Sequence, residues 1–428
     1  MKISQSNTKV VKTNNGFQQT EVGIIPKDWK LVTYDEAFDF LTTATYSRAQ
    51  LTKNDEIKYI HYGDIHTKWN HFLDLNKNEL PTIKLDQLRK YPLLREGDLL
   101  MADASEDYEG VGKSVEVRNI SDLKIISGLH TFLLRDNNGL LANGFKGYIH
   151  SNKMVKKQMD TLATGLKVYG VSKTNLKVIK IPLPPTKAEQ IAIATALNDA
   201  EALITGLEKL IAKKRNIKQG AMQELLRPKE GWVEKKLGDC LKQNPNYGIN
   251  AAAVPYNESL PVYLRITDIT EDGKYSKKNI VSVDLFASSS YYLEKGDLVF
   301  ARTGASVGKT YLYNNRDGKL VFAGFLIRVK VNPDKLIPEY FQFYTQTSAY
   351  WNWIRSNSMR TGQPGINGNE FKELPISLPP TLKEQSVICK VLIDMDAEID
   401  SFEKKLEKYK MIKQGMMQNL LTGKIRLI

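Results

Sequence analysis

Leu183-Pro184-Pro185-Thr186-Lys187-Ala188-Glu189-Gln190 returns as Leu378-Pro379-Pro380-Thr381-Leu382-Lys383-Glu384-Gln385, and this duplicated stretch decides how the rest of the chain is read. Around it, Ile181 to Leu226 aligns without gaps on Ile376 to Leu421, about 195 residues later, with roughly half the positions identical. Pro-Pro stops whatever precedes it, and a Thr with a Glu three residues on is a capping box. The spacing therefore predicts helices that start at Thr186 and Thr381. Beyond each start, apolar residues recur at alternating steps of four and three: Ile193, Leu197, Ala200, Ile204, Leu207 and Ile211, then Ile388, Leu392, Met395, Ile399, Phe402 and Leu406. That is the seam of a coiled coil.

One such helix would pack most simply against its own domain. Two matched seams, with charged outer faces such as Glu208, Lys209 and Lys213 or Glu403, Lys404 and Lys408, point instead to pairing with each other. A helix of about 40 residues spans roughly 60 Å, more than one domain of this size covers. Halves related by a two-fold axis would make the pair antiparallel and turn it into a rod. Gly220 and Gly415, each in a shared Lys-Gln-Gly, weaken a helix by about 1 kcal/mol. They predict a close approach or bend near the end of the coil.

Upstream the repetition is weaker but ordered. Glu96-Gly97-Asp98-Leu99-Leu100 answers Lys295-Gly296-Asp297-Leu298-Val299, and Gly112-Lys113-Ser114 answers Gly308-Lys309-Thr310. Thr164-Gly165 to Leu176 answers Thr361-Gly362 to Phe371, and Pro26-Lys27-Asp28-Trp29 resembles Pro228-Lys229-Glu230-Gly231-Trp232. The order is variable, constant, variable, constant. The variable parts mix short apolar runs, such as Gly97 to Met101 and Lys319 to Arg328, with Gly, Asn, Asp and Pro. Each adds a short helical stretch, Lys146 to Met159 and Pro338 to Ser356. The fold class expected is α+β: two α/β domains separated by two long helices that form an antiparallel coiled coil, as a pseudo-two-fold internal repeat. The division expected is a tail over 1–20, a first variable domain over 21–182, a helical region over 183–227, a second variable domain over 228–377 and a second helical region over 378–428.

A net charge of +13 over 428 residues favours a polyanionic partner, most often nucleic acid. Cys240 and Cys389 lie far apart without CxxC spacing, so neither a disulfide framework nor a zinc site is expected. The first 19 residues are polar, without the apolar core of a signal peptide, and no apolar stretch is long enough to span a bilayer. A cytoplasmic protein without membrane attachment is the expectation.

Loops between the strands carry groups suited to phosphates and base edges. The second arm offers Arg302, Thr303, Ser306 and Lys309, and the first Asp103, Ser105, Glu106 and Lys113. A later pair of loops offers Lys167, Tyr169, Lys173 and Asn175 in one arm and Gln363, Asn367 and Asn369 in the other. Tyr46 and Arg48, and Tyr247 and Asn250, come from the first loop of each. Polar loops are often only solvated turns. What lifts these is that matching positions hold different side chains, as two readers on one scaffold would.

Catalytic motifs fail on inspection. Gly304 to Thr310 is one residue short of a P-loop and runs into Tyr311-Leu312-Tyr313, which reads as a strand. His61, His66, His71, His130 and His150 all fall in the first arm without metal-ligand spacing, so they are expected to be surface or packing residues and no metal site is expected. No amino-methyltransferase signature is present, and no catalytic residue is nominated.

Taken whole, the pattern resembles the specificity subunit (HsdS) of type I restriction-modification systems. The resemblance rests on Gln19 to Pro26 with Asp28-Trp29, the two Leu-Pro-Pro-Thr-x-x-Glu-Gln openings, and the Lys-Gln-Gly-x-Met-Gln-x-Leu-Leu endings, the second followed by Thr422-Gly423-Lys424-Ile425-Arg426. The first ending departs from this at Arg227-Pro228, where the chain runs into the second arm. The resemblance implies two target-recognition domains reading the halves of a bipartite double-stranded DNA target. It also implies constant helices that dock two methyltransferase (M) subunits, and restriction (R) subunits that join through that core. It implies no cofactor in this chain, with S-adenosylmethionine, ATP and Mg2+ used by the partner subunits. The competing expectation is a coiled-coil scaffold without DNA readout; a nuclease or fused methyltransferase fits least.

Overall fold

The computed structural model describes residues 16–84, 91–107, 109–165, 168–285 and 289–427. It resolves into two compact units, one holding the chain up to Leu207 together with Lys405 onward, the other Glu208–Lys404.

In the first unit, a five-stranded sheet runs in the order Asp39–Leu41, Thr131–Arg135, Leu99–Ala102, Ser114–Arg118, Phe72–Asp74. Its central strand is buried at every position, with Met101 opposite Phe132 on one side and Ser114 on the other. A three-stranded sheet, Ile125–Ser127, Ile57–Ile60 and Thr82–Ile83, lies in the same arm. The Gly-Asp that opens the central strand holds the sheet together, since buried Asp98 accepts the Arg95 N–H and a two-pronged bond from Arg135. The tail expected over 1–20 ends in a strand, Phe17–Thr20, paired with Gly23–Pro26.

The second unit repeats the plan with four strands, Asn246–Tyr247, Leu326–Lys330, Asp297–Ala301 and Thr310–Leu312, and a second sheet of Ala253–Pro255, Val281–Val283, Val262–Leu264 and Leu320–Phe322. The apolar run Lys319 to Arg328 is therefore not one strand. It breaks at Ala323–Phe325 and feeds both sheets, because Leu326 N–H turns back to the Ala323 carbonyl. Both short helical stretches are also interrupted. Asn152 caps Lys153–Leu162 after a 3-10 turn over Lys146–Ser151, and Thr347 caps Ser348–Ser358 after Pro338–Tyr344.

In each arm the strand that enters pairs antiparallel with the strand that leaves: Lys30–Thr33 with Lys180–Leu183, and Val233–Lys236 with Pro375–Leu378. Each arm is thus closed at its base by a two-stranded clasp.

The long helices start where the spacing predicts and run unbroken for 39 residues, Lys187–Leu225 and Leu382–Leu420. Each gives one part to each unit. Among the seam residues, Ile193, Leu197, Ile204, Ile211, Ile388, Leu392 and Ile399 are buried, and Leu207, Phe402 and Leu406 are half-buried. The seam residues pack into the arms. Ile193 and Leu197 join the core of the first arm together with Leu420 and Leu421, while Ile388 and Leu392 join the core of the second with Met222 and Leu226.

Within the first unit Lys413 pairs with Glu201. Within the second, Lys218 pairs with Asp396 and Arg215 with Glu403, both at 2.6 Å. Lys218 and Lys413 are the same position of the repeat, as are Glu201 and Asp396. Gly220 and Gly415 do not mark a close approach: a methyl group built on either would meet nothing within 4 Å, and both helices continue through them.

The repeated Glu-Gln does more than cap. Gln190, buried, accepts the Ala142 N–H at 2.7 Å and donates to the Leu140 carbonyl; Gln385 accepts the Ile337 N–H at 3.0 Å and donates to the Lys335 carbonyl. Each glutamine pins a helix start to its own arm. Thr381 and Glu384 stay paired, the Thr381 hydroxyl capping the Glu384 N–H and donating to its carboxylate, but Glu189 departs from this. Thr186 still caps the Glu189 N–H, whereas the Glu189 carboxylate turns to Arg426, which also holds Asp28 at 2.8 and 2.9 Å. Gly423 allows this return. Its φ of +68° favours glycine, and a methyl group there would come within 2.4 Å of Pro26.

Candidate nucleic-acid interface

Loops are joined at one end of a sheet in each arm, three in the second arm and two in the first, and the sequence candidates sort into those that face outward and those that hold the loops together. In the second arm the loop after Asn246–Tyr247, the loop after Asp297–Ala301 and the loop before the helix Gly368–Lys372 are stitched into one patch. Thr303 bridges Gly365, Gly304 N–H bonds to the Pro364 carbonyl, and Ile366 N–H bonds to the Arg302 carbonyl. The Tyr247 hydroxyl accepts the Gly368 N–H at 3.1 Å, and the Arg302 guanidinium lies 5.0 Å from the centre of its ring. Asn250, Gln363 and Asn369 are exposed around this patch, and Gln363 lies against Gly304. Ser306 closes the single turn Gly304–Ser306, which leads to the strand Thr310–Leu312 and not to the helix a P-loop needs. Lys309 is paired with Glu271 at 2.5 Å. Asn367 is occupied as a helix cap, its side chain accepting the Asn369 and Glu370 N–H groups, so it shapes the loop.

In the first arm the strand Ala104–Ser105 pairs with Tyr169–Gly170, which joins the corresponding loops. Ser105 is buried and Asp107 donates its N–H to the Ser105 hydroxyl. Lys113 donates to the His66 carbonyl at 2.7 Å, and burial pushes its ammonium below the ordinary lysine value. Asn175 donates to the Leu162 carbonyl, and Lys173 is exposed with its ammonium 5.4 Å from the Phe40 ring. Tyr46 is a packing residue, set edge-on to Tyr59 and Tyr91, while exposed Arg48 reaches Asp64 at 3.2 Å. Lys167 lies outside the described residues.

Buried His71 stacks on half-buried His150 at 5.3 Å, and burial drives His71 down to about 3 and His150 well below the usual histidine value. His150 also borders an open cleft of about 850 Å³, lined by His66 and His130 with Tyr62, Ser105, Asp107 and Lys113. The His66 ring lies 2.8 Å from the Ala104 carbonyl, and His130, in the left-handed backbone region, stands 3.3 Å from Asp103. This grouping was not legible in the sequence, because His66 and His130 lie 64 positions apart. Among the described residues no cluster of three His, Cys, Asp or Glu side chains could hold a metal ion, and no helix is long and apolar enough to cross a membrane.

An α+β frame repeated within one chain, with polar loops gathered at matching ends, defines a class of two-armed recognition proteins. The chain belongs to the family described as the type I restriction modification DNA specificity domain, whose model matches it twice, over residues 26–219 and 229–410. It is 27% identical over 445 residues to a specificity subunit assigned to the type I restriction enzyme MjaX of Methanocaldococcus jannaschii, covering 96% of this chain and 97% of that one. Among solved structures it is similar to the S subunit of a type I restriction-modification system from M. genitalium, with a TM-score of 0.53 at 15% identity over 96% of this chain and 98% of the other. It is also similar to a chain from a study of complex assembly and conformational transition in the type I system, with a TM-score of 0.58 at 17% identity over 94% and 99%. The protein is a type I specificity subunit with two DNA specificity domains.

Proposed function

We propose that each arm reads one half of a bipartite, asymmetric DNA target, and that the paired helices set the spacer between the halves and dock two methyltransferase subunits. The observation that carries this reading is the same set of joined loops, built twice on the same strands, with different polar side chains at matching positions. A scaffold protein has no need of that difference. The rod is supported by the ion pairs: Lys218 with Asp396 and Lys413 with Glu201 are one contact made twice, as an antiparallel coiled coil with a pseudo-two-fold axis requires. The chain then has a tail, two target-recognition domains over 21–182 and 228–377, and two helical regions. A stiff rod suits a target whose halves lie about one duplex turn, or 34 Å, apart.

Catalysis on this reading belongs to the partners. Adenine methylation with S-adenosylmethionine is assigned to the methyltransferase subunits, and ATP- and Mg2+-dependent translocation and cleavage to restriction subunits that join through the methyltransferase core, in the cytoplasm.

The clasped base of each arm makes the reading testable. Replacing residues 21–182 with the corresponding arm of another family member is expected to change one half of the methylated motif in a host that also makes the methyltransferase subunit. Both halves changing together would contradict two independent readers. Duplex binding by the assembled complex is expected to weaken steeply with salt, whereas a scaffold would show no such binding.

A further inference from the structure

The central strand of each sheet runs out into a residue held identically in both arms but opposite in charge. Asp103 donates its N–H to the His130 carbonyl at 3.1 Å and accepts the Val171 N–H at 3.0 Å. Arg302 donates its N–H to the Phe325 carbonyl at 3.1 Å and accepts the Ile366 N–H at 2.9 Å. The backbone at this point is therefore fixed between the same two loops in each arm. The side chains begin from the same place and carry opposite chemistry.

Arg302 is prepared for a planar partner. Its Nε donates to the Gly324 carbonyl at 3.1 Å, and its guanidinium lies over Tyr247, whose hydroxyl is in turn held by Gly368. Its two terminal amino groups have no partner among the described residues, and the residue is part-exposed. A guanidinium with its orientation fixed and its outer edge free matches the O6 and N7 acceptors of guanine, which take two parallel N–H bonds. Asp103 is the counterpart acceptor. Its Oδ1 is buried, 3.3 Å from His130 Nδ1, while the side chain as a whole keeps 29% exposure, so it is the other carboxylate oxygen that would meet a base. A carboxylate in that setting suits the exocyclic amino group of cytosine.

We propose that this one scaffold position reads a base in each arm, Arg302 contacting a guanine in one half of the target and Asp103 a cytosine amino group in the other. The inference rests on the arms being DNA readers, and the experiment separates the two claims. The full chain is produced with its methyltransferase subunits and the host methylome is read. If the wild-type chain yields no motif, the reading of the arms itself fails.

Given a motif, Arg302→Gln is expected to relax one guanine of one half, with discrimination there falling about tenfold or more, while the other half stays intact. Asp103→Asn is expected to do the same at a cytosine of the opposite half. Arg302→Lys, which keeps the charge but not the fork, is expected to lose the same preference and serves if the glutamine variant does not assemble. The wild-type complex supplies a check that needs no variant. Replacing each guanine of the motif in turn by 7-deazaguanine, which lacks N7, is expected to weaken binding about tenfold at one position. An unchanged motif in the variants, insensitivity to every 7-deazaguanine, or a loss of methylation that is uniform across bases would overturn the proposal, the last by showing Arg302 to be a phosphate contact.

Discussion

Arg426 ties together three segments that are far apart in sequence, and it does so with two edges of its guanidinium. One edge meets Glu189, which is 3% exposed, and the other meets Asp28, whose carboxyl it holds below the usual carboxylate range. Arg426→Ala leaves a buried carboxylate uncompensated and is expected to cost about 2–3 kcal/mol, less than a fully buried pair because the arginine is partly solvated. Denaturant titration checks the magnitude, and faster hydrogen exchange at residues 26–29 and 187–193 would locate it. His71 gives a pH signature. Its folded value of about 3 lies below the ordinary 6.5, so between those values the unfolded chain binds a proton that the folded one does not. Stability is whole above about pH 6.5 and is expected to fall by about 1.4 kcal/mol per pH unit below it on account of this residue. His71→Gln should remove this residue's share of the slope and leave that of His150, measured by thermal unfolding between pH 7 and 5. Neither residue's role was legible in the sequence. Glu189 was readable as a cap because its partner Thr186 is local, but nothing local names Arg426, 237 positions away.

The helices were the most legible elements, since a cap, a stop and a seam are all local patterns, and both begin within a residue of the position expected from Pro-Pro-Thr. Their glycines were not. The spacing predicts contact at Gly220 and Gly415, yet open space surrounds both. Gly220→Ala and Gly415→Ala are therefore expected to stabilise the isolated chain by about 0.5–1 kcal/mol each, raising its Tm, because alanine loses less backbone entropy in a helix. A fall in Tm would restore the close approach. The repeated ion pair predicts a second result. Double-mutant cycles on Lys218 with Asp396 and Lys413 with Glu201 are expected to give similar couplings of about 1 kcal/mol, against about 0.5 kcal/mol or less for the more exposed Arg215 with Glu403. The strands were harder to read. Lys319 to Arg328 looks like one apolar run, but its turn is made by a backbone bond from Leu326 to Ala323 that no side chain announces. The loops were legible as loops and as candidates, whereas which of their side chains cap, stitch or remain free depends on contacts made across the arm. Asn367 and Tyr46 fell to the structural side for that reason.

At the scale of the whole chain, the proposed function makes the protein a two-armed reader whose arms are interchangeable and whose helices measure distance. Adding one heptad to both long helices at matched positions lengthens the proposed rod by about 10 Å, or some three base pairs of duplex. The half-sites should stay the same and the spacer between them grow. A variant that assembles, methylates and keeps the original spacer would show that something other than the helices sets it. The claim beneath all of this is that the chain confers a divided sequence on an enzyme that has none without it. The measurement that tests it most directly is single-molecule methylome sequencing of a host making this chain with its methyltransferase subunit, against the same host lacking only this chain. The expected result is a new motif in two separated halves, with modified adenine in both, present only when the chain is made. A complex that assembles on the chain and yet adds no such motif would contradict it.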